Sequence, residues 1–287
     1  MIIDSLRATF DKNRDKNPLF LRNILKEQLQ YYVLNFIYNS SYGEKFLFKG
    51  GTCLRFALDD FPRLSEDLDF DVEDFAKFDF QNFTQAIYEY FSQKLSYKDL
   101  EIKVSGKNKI IYLKFPLLDK INFAYDKSKP SERILFLRID LAPIKGSGFT
   151  KEISLKSTYD FSFIIKRYSL PDIAAGKLSA ILTRERWEGE KKEARFKGRD
   201  YFDIFWLSEK KIFPNLIYLK SILPSSFQKN IFSLVKEKLK EASRKKQDLK
   251  KDLLSFFAEN QFVERFVDNF DLFVEKYLKY LKNEKNC

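Results

Sequence analysis

Apolar and polar positions follow two periods along this chain, and the two are largely segregated. From Pro18 onward, Leu21, Ile24, Leu25, Leu29, Tyr32 and Phe36 fall on one face of a helix. Asn17 as cap and Pro18 at the first helical position give that helix its start, and it is expected to reach about Asn39. Residues 45–48 predict a short strand leading into a Gly50-Gly51 turn, and 52–58 a helix. Over residues 67–72, Leu68, Phe70 and Val72 alternate with Asp67, Asp69 and Asp71. That period of two predicts a strand with its carboxylates on one face. Asp79 or Asn82 caps a further helix reaching Gln93. Strands are expected at 101–104, 109–115 and 133–141, the last almost continuously apolar and so mostly buried.

The pattern changes near Tyr168. Ser169-Leu170-Pro171-Asp172 opens a long helix over 173–187. A charged loop at 189–198, a helix at 200–207 and helical spacing to Lys282 follow. The simplest architecture is α+β: a mixed-sheet core over 1–168, then a helical region over 169–287. The boundary has little linker character, so the helical region is expected to pack against the core and contribute to one shared site.

Length and composition narrow the function. At 287 residues and 44% hydrophobic, the chain can bury one large or two modest cores. Its formal net charge of +11 favours a polyanionic partner, nucleic acid first, although lysine-rich composition also serves solubility. The absence of histidine excludes Ser-His-Asp and Cys-His triads and a histidine zinc site. Cys53 and Cys287 form no disulfide framework, which points to a reducing compartment. The start MIIDSLRATFDKN lacks a signal-peptide pattern, and the apolar run from Tyr31 to Tyr38 is too short to span a bilayer. A soluble, cytoplasmic protein without a membrane partner is expected.

The chemistry concentrates in Lys49-Gly50-Gly51-Thr52-Cys53-Leu54-Arg55 and Arg63-Leu64-Ser65-Glu66-Asp67-Leu68-Asp69-Phe70. Two carboxylates on one strand face repel unless a cation lies between them, and Mg²⁺ takes such oxygen ligands. A Gly-Gly turn entering a helix leaves backbone N–H groups for phosphate. The plainer readings are a solvated strand edge and an ordinary tight turn. The combination favours metal-assisted chemistry on a nucleoside triphosphate.

These segments resemble the first motif of the AbiEii-type nucleotidyltransferase toxins, which include the MenT toxins. Asp172-Ile-Ala-Ala-Gly-Lys177-Leu-Ser-Ala-Ile-Leu-Thr-Arg184 resembles the family's Lys-containing helix, and Lys197-Gly-Arg199-Asp200-Tyr-Phe-Asp203 its Arg-Asp motif. The resemblance runs over roughly residues 20–210. It implies a polymerase-β-like nucleotidyltransferase fold and a toxin of a toxin–antitoxin pair, with a cognate antitoxin protein as partner. Characterised relatives add nucleotides to the 3′ end of tRNA and block aminoacylation, and some are linked to abortive infection.

Residue roles follow from the chemistry of these groups together with that resemblance. Asp67 and Asp69 would hold Mg²⁺, with Asp140 as a third carboxylate unless it is merely an exposed strand end. Lys49, Gly50, Gly51, Thr52 and Ser65 would meet the phosphates, and Arg138 would contact the acceptor or neutralise Asp140. Lys177 either snorkels outward or reaches a phosphate; the family match favours phosphate, so its replacement should cost little stability. Arg184 shares its helix face. The catalytic aspartate of the Arg-Asp motif is Asp200, paired with Arg199, or Asp203 if the helix phase differs; both otherwise cap the helix or pair with Lys197 or Arg195. Asp203 and Arg199 are further nucleotide contacts. The basic segments 184–199 and 236–251 are candidate tRNA contacts, the second more readily a solvated helix face. Tyr201, Phe202 and Trp206 could stack on a base, with core packing the default. The expected reaction moves a nucleoside monophosphate from a triphosphate to tRNA. A protein or small-molecule acceptor, or a non-catalytic nucleic-acid-binding module, are the alternatives.

Overall fold

A computed structural model of the chain describes residues 2–105, 110–188, 191–194 and 196–284. The chain divides into two compact units, Met1–Ile144 with Lys151–Arg167, and Lys145–Thr150 with Tyr168–Cys287.

The first unit opens with α1 (Ile2–Lys12), in a stretch assigned no element from the sequence, and α2 (Pro18–Tyr38). Asn17 caps α2 as expected, its Oδ1 accepting from Phe20 N at 2.8 Å. There follow β1 (Phe46–Lys49), α3 (Gly50–Ala57), β2 (Asp67–Val72), α4 (Phe80–Glu89), β3 (Glu101–Ser105), β4 (Ile110–Pro116) and β5 (Ile134–Pro143). Asp79, rather than Asn82, caps α4. The expected start of β4 at Lys109 lies outside the described residues. Two further strands, β6 (Lys151–Ser157) and β7 (Ser162–Tyr168), were not anticipated.

The seven strands form one mixed sheet in the order β3-β4-β5-β2-β1-β7-β6. β2 lies between β1, antiparallel to it, and β5, parallel to it. Alternation along β2 sends Leu68 and Phe70 to the apolar face, where both are fully buried. Phe48 stacks on Phe70 at 4.7 Å, and Phe46 lies 5.2 Å from it. Leu25, Leu29, Val33 and Ile37 of α2 and Phe83 and Ile87 of α4 complete this core. Each such side chain contributes about 1.5–3 kcal/mol by leaving water. The opposite face of β2 is left to its aspartates.

The second unit starts from α5 (Leu170–Thr183), whose cap Ser169 donates to Asp172 Oδ2 at 2.6 Å. The helix expected to reach Trp187 ends at Thr183 and gives way to a hairpin, β8 (Glu185–Glu188) and β9 (Lys191–Ala194). The expected charged loop is therefore partly strand. Among the described residues there follow the α-helices α6 (Gly198–Glu209), α7 (Leu216–Ile222), α8 (Ser225–Gln228), α9 (Ile231–Ser243), α10 (Lys246–Leu253), α11 (Asn260–Asp268) and α12 (Phe270–Glu284). Phe202 packs 5.3 Å from Phe266, and Phe205 5.4 Å from Phe270. Tyr201 and Phe202 are buried, which gives them core packing as their structural task. The basic run 236–251 is split between α9 and α10, with Leu239, Ala242 and Leu249 buried and Glu241 paired to Lys238 and Lys245. That is the solvated amphipathic face of the plainer reading.

Candidate active site

Strand register assembles the charged face of the first unit. In β2 and β5, Asp67 is the partner of Arg138 and Asp69 the partner of Asp140; in β1, Lys49 is the partner of Asp69. Register partners share a sheet face, so Asp67, Asp69, Asp71, Arg138, Asp140 and Lys49 stand together. Two carboxylates of this face have defined cationic partners. Lys49 Nζ lies 2.6 Å from Asp71 Oδ1, and Asp71 is buried. Arg138 grips Asp140 with both arms of its fork, Nε to Oδ1 at 2.8 Å and Nη2 to Oδ2 at 2.7 Å. Burial pushes the Asp140 carboxyl above its ordinary value; Arg138 pulls against that rise and Asp67 adds to it.

The glycine turn is built against these carboxylates. Gly50 has φ +82°, and a β-carbon on it would lie 2.4 Å from Asp69 Oδ2. Only glycine combines that backbone with that approach. A β-carbon on Gly51 would meet Arg63 Nη2 at 2.4 Å and Ser65 Oγ at 3.0 Å. Arg63 is buried and donates to Leu64 O at 2.8 Å. The first turn of α3 therefore meets Asp69 on one side and Arg63 and Ser65 on the other. Lys49 at the cap position makes no side-chain cap bond to it. Thr52 is fully buried, and its hydroxyl donates to Asp67 O, which ties α3 to the start of β2. Arg55 pairs with Glu27 at 2.8 Å and donates to Phe61 O at 2.7 Å, so its task is structural.

The donor chemistry fits a hard divalent cation: Asp67, Asp69 and Asp140 are three carboxylates on adjoining register positions. As arranged, no three acidic, histidine or cysteine side chains among the described residues are gathered to hold a metal ion. One physical reason is visible in the side chains: Asp140 is turned to Arg138.

The second unit carries a separate cluster on α5 and α6. Lys177, expected to snorkel or to reach a phosphate, is buried and lies 3.0 Å from Asp200 Oδ1 and 2.6 Å from Asp203 Oδ2. Arg184 also pairs with Asp200. Helical spacing explains part of the convergence: Asp200 and Asp203 share one face of α6, while Lys177 lies on α5 and Arg184 is the residue that caps its C-terminal end. Burial alone would raise the Asp200 carboxyl, yet Lys177, Arg184 and Lys197 hold it far below the usual carboxylate range. Lys197 is itself pushed down to about 8 by burial, with Arg199, Arg184 and Lys177 adding and Asp200 opposing. Arg199, expected beside Asp200, lies 3.5 Å from Asp252 and over the Phe256 ring at 3.9 Å. Arg195, one alternative partner, lies outside the described residues.

With both clusters in view, comparison with known families is decisive. The profile of "Nucleotidyl transferase AbiEii toxin, Type IV TA system" matches residues 33–282. The chain belongs to the AbiEii nucleotidyltransferase toxin family. The match runs through the helical tail to residue 282, well past the motifs that suggested the family. A comparison with curated proteins returns no match. Membership in the AbiEii family brings a transferase activity, a nucleoside triphosphate substrate and an antitoxin partner. No helix among the described residues is long and apolar enough to cross a membrane.

Three side chains in these clusters received no role from the sequence beyond a place in a motif or an ion pair. Asp71 was legible as the third member of the alternating set, but its partnership with Lys49 was not. Arg63 gave no sign of being a buried guanidinium under the glycine turn. Lys197 stands out only through the three-dimensional crowding of cations around Asp200.

Proposed function

We propose that this AbiEii family member is a Mg²⁺-dependent nucleotidyltransferase acting on the 3′ end of tRNA. In the proposed reaction the terminal 3′-oxygen bonds to the α-phosphorus of a nucleoside triphosphate. The α–β bridge bond breaks, the hydroxyl proton leaves to solvent, and pyrophosphate departs. A 3′ end extended in this way cannot be aminoacylated, so translation stops. The proposed place of action is the cytoplasm, with growth arrest of the abortive-infection type as the outcome and a cognate antitoxin as its restraint.

The observation that carries this reading is the register of Asp67 and Asp69 on β2 with Asp140 on β5, closed at one end by the Gly50 turn. Asp67, Asp69 and Asp140 would hold Mg²⁺, which when bound supplies charge to offset the triphosphate and the developing transition state. The N–H groups of Gly50 and Gly51 at the start of α3, with Ser65 beside them, are assigned to the phosphates. Lys49, balanced by Asp71, is assigned to the same anion. Lys177 is assigned as a phosphate cation whose position Asp200 and Asp203 fix. The net charge of +11 supports tRNA as acceptor.

The test is incubation with total tRNA, Mg²⁺ and each labelled nucleoside triphosphate in turn. Label on tRNA, lost after periodate oxidation of its 3′ end, is the expected result. Label that enters oxidised tRNA, or appears on protein without RNA, would assign a different acceptor.

A further inference from the structure

We infer that Arg138 is a built-in competitor for the cation site: its guanidinium holds Asp140 in the metal-free protein and must leave before a divalent cation can take Asp67, Asp69 and Asp140 together. The inference rests on the reading of those three carboxylates as the metal site.

The geometry is specific. Arg138 and Asp140 are two apart on β5, so both project from the same sheet face. The fork engages both oxygens of Asp140, at 2.8 and 2.7 Å. A cation approaching that carboxylate meets a guanidinium already in the bidentate position, and one carrying like charge. Arg138 is also the register partner of Asp67, so the guanidinium is flanked by carboxylates of two strands. Their mutual repulsion in the metal-free state is thereby relieved. The pair is not sealed in: the Arg138 and Asp140 side chains are 37% and 29% exposed. Arg138 can therefore swing to solvent or to an incoming phosphate without unfolding of the sheet. The consequence is a weak site for metal alone, completed when an anion draws Arg138 away.

The test uses Mn²⁺ alone, without nucleotide, titrated into the full chain with free ion read by electron paramagnetic resonance. Arg138→Gln should tighten Mn²⁺ binding at least about tenfold, the scale of one charge-assisted contact. The same substitution in an Asp140→Asn background should change affinity by less than about twofold, because the two residues act as a unit. Should the glutamine variant fail to fold, Arg138→Lys keeps the charge but gives up the two-point grip, and a smaller gain in the same direction is expected. Wild-type affinity in Arg138→Gln, or an undiminished gain in the Asp140→Asn background, would overturn the inference and leave the metal site standing. Mn²⁺ binding that is absent from every variant, or that ignores an Asp67→Asn/Asp69→Asn double substitution, would overturn the metal site itself.

Discussion

Gly50 and Asp69 approach so closely that a β-carbon on the glycine would sit 2.4 Å from the aspartate's Oδ2. The glycine turn and the carboxylate strand are thus one device, with the first turn of α3 set by the strand that carries the acids.

Gly50→Ala should therefore fail twice. A left-handed backbone costs a non-glycine residue at least about 1–2 kcal/mol, and the new methyl displaces the Asp69 carboxylate. Urea unfolding should show the loss of stability, and nucleotide transfer should fall more steeply than that loss explains. Wild-type transfer by Gly50→Ala would separate the turn from the chemistry.

Lys177 is the cation between two carboxylates that are almost wholly buried, Asp200 and Asp203 at 4% and 0% side-chain exposure. That burial reverses the expectation that replacing Lys177 costs little stability. Lys177→Ala leaves buried negative charge short of its partner, a loss of about 3–5 kcal/mol. In an Asp203→Asn background the loss should shrink, since one charge is already gone. A loss under about 1 kcal/mol in the single variant, read by chemical unfolding, would contradict the cluster as described.

The depressed Lys197 amine gives a pH signature. Its folded value is about 8 against an ordinary 10.5. Between those values the unfolded chain binds a proton that the folded protein has released, so this group's contribution to stability rises with pH. Below about 8 both states are protonated and the contribution is flat. Unfolding free energies of wild type and Lys197→Gln across that range should diverge on the alkaline side. Parallel curves would mean that the amine titrates at its ordinary value.

Local signals were legible in the sequence and long-range ones were not. The limits of β2 follow directly from alternation of Leu68, Phe70 and Val72 with aspartates, and the start of α2 from Asn17-Pro18. β6 escaped because its pattern is inverted: Ile153 and Leu155 face solvent while Glu152, Ser154 and Lys156 are half-buried. An apolar period pointing away from the core does not predict a core-facing strand. The end of α5 escaped because Thr183-Arg184 carries no glycine or proline stop. Within the candidate site, the residue types were readable, as was the pairing of Arg138 with Asp140 two positions on along one strand; the pairings between distant segments were not. Lys49 finds Asp71 22 positions away, and Lys177 finds Asp200 23 positions away. Such partners are chosen by sheet register and helix packing, which the motifs do not encode.

The central claim is that Asp67 and Asp69 perform metal-assisted transfer to a tRNA 3′ end. Its most direct test compares wild type with Asp67→Asn and Asp69→Asn for labelled nucleotide incorporation into intact total tRNA with Mg²⁺. Each substitution removes a charged ligand from a strand face while sparing the apolar core, so folding should hold and thermal stability should be unchanged or slightly higher. The account predicts well-folded variants that incorporate no label where the wild type does. Full incorporation by either folded variant would contradict it.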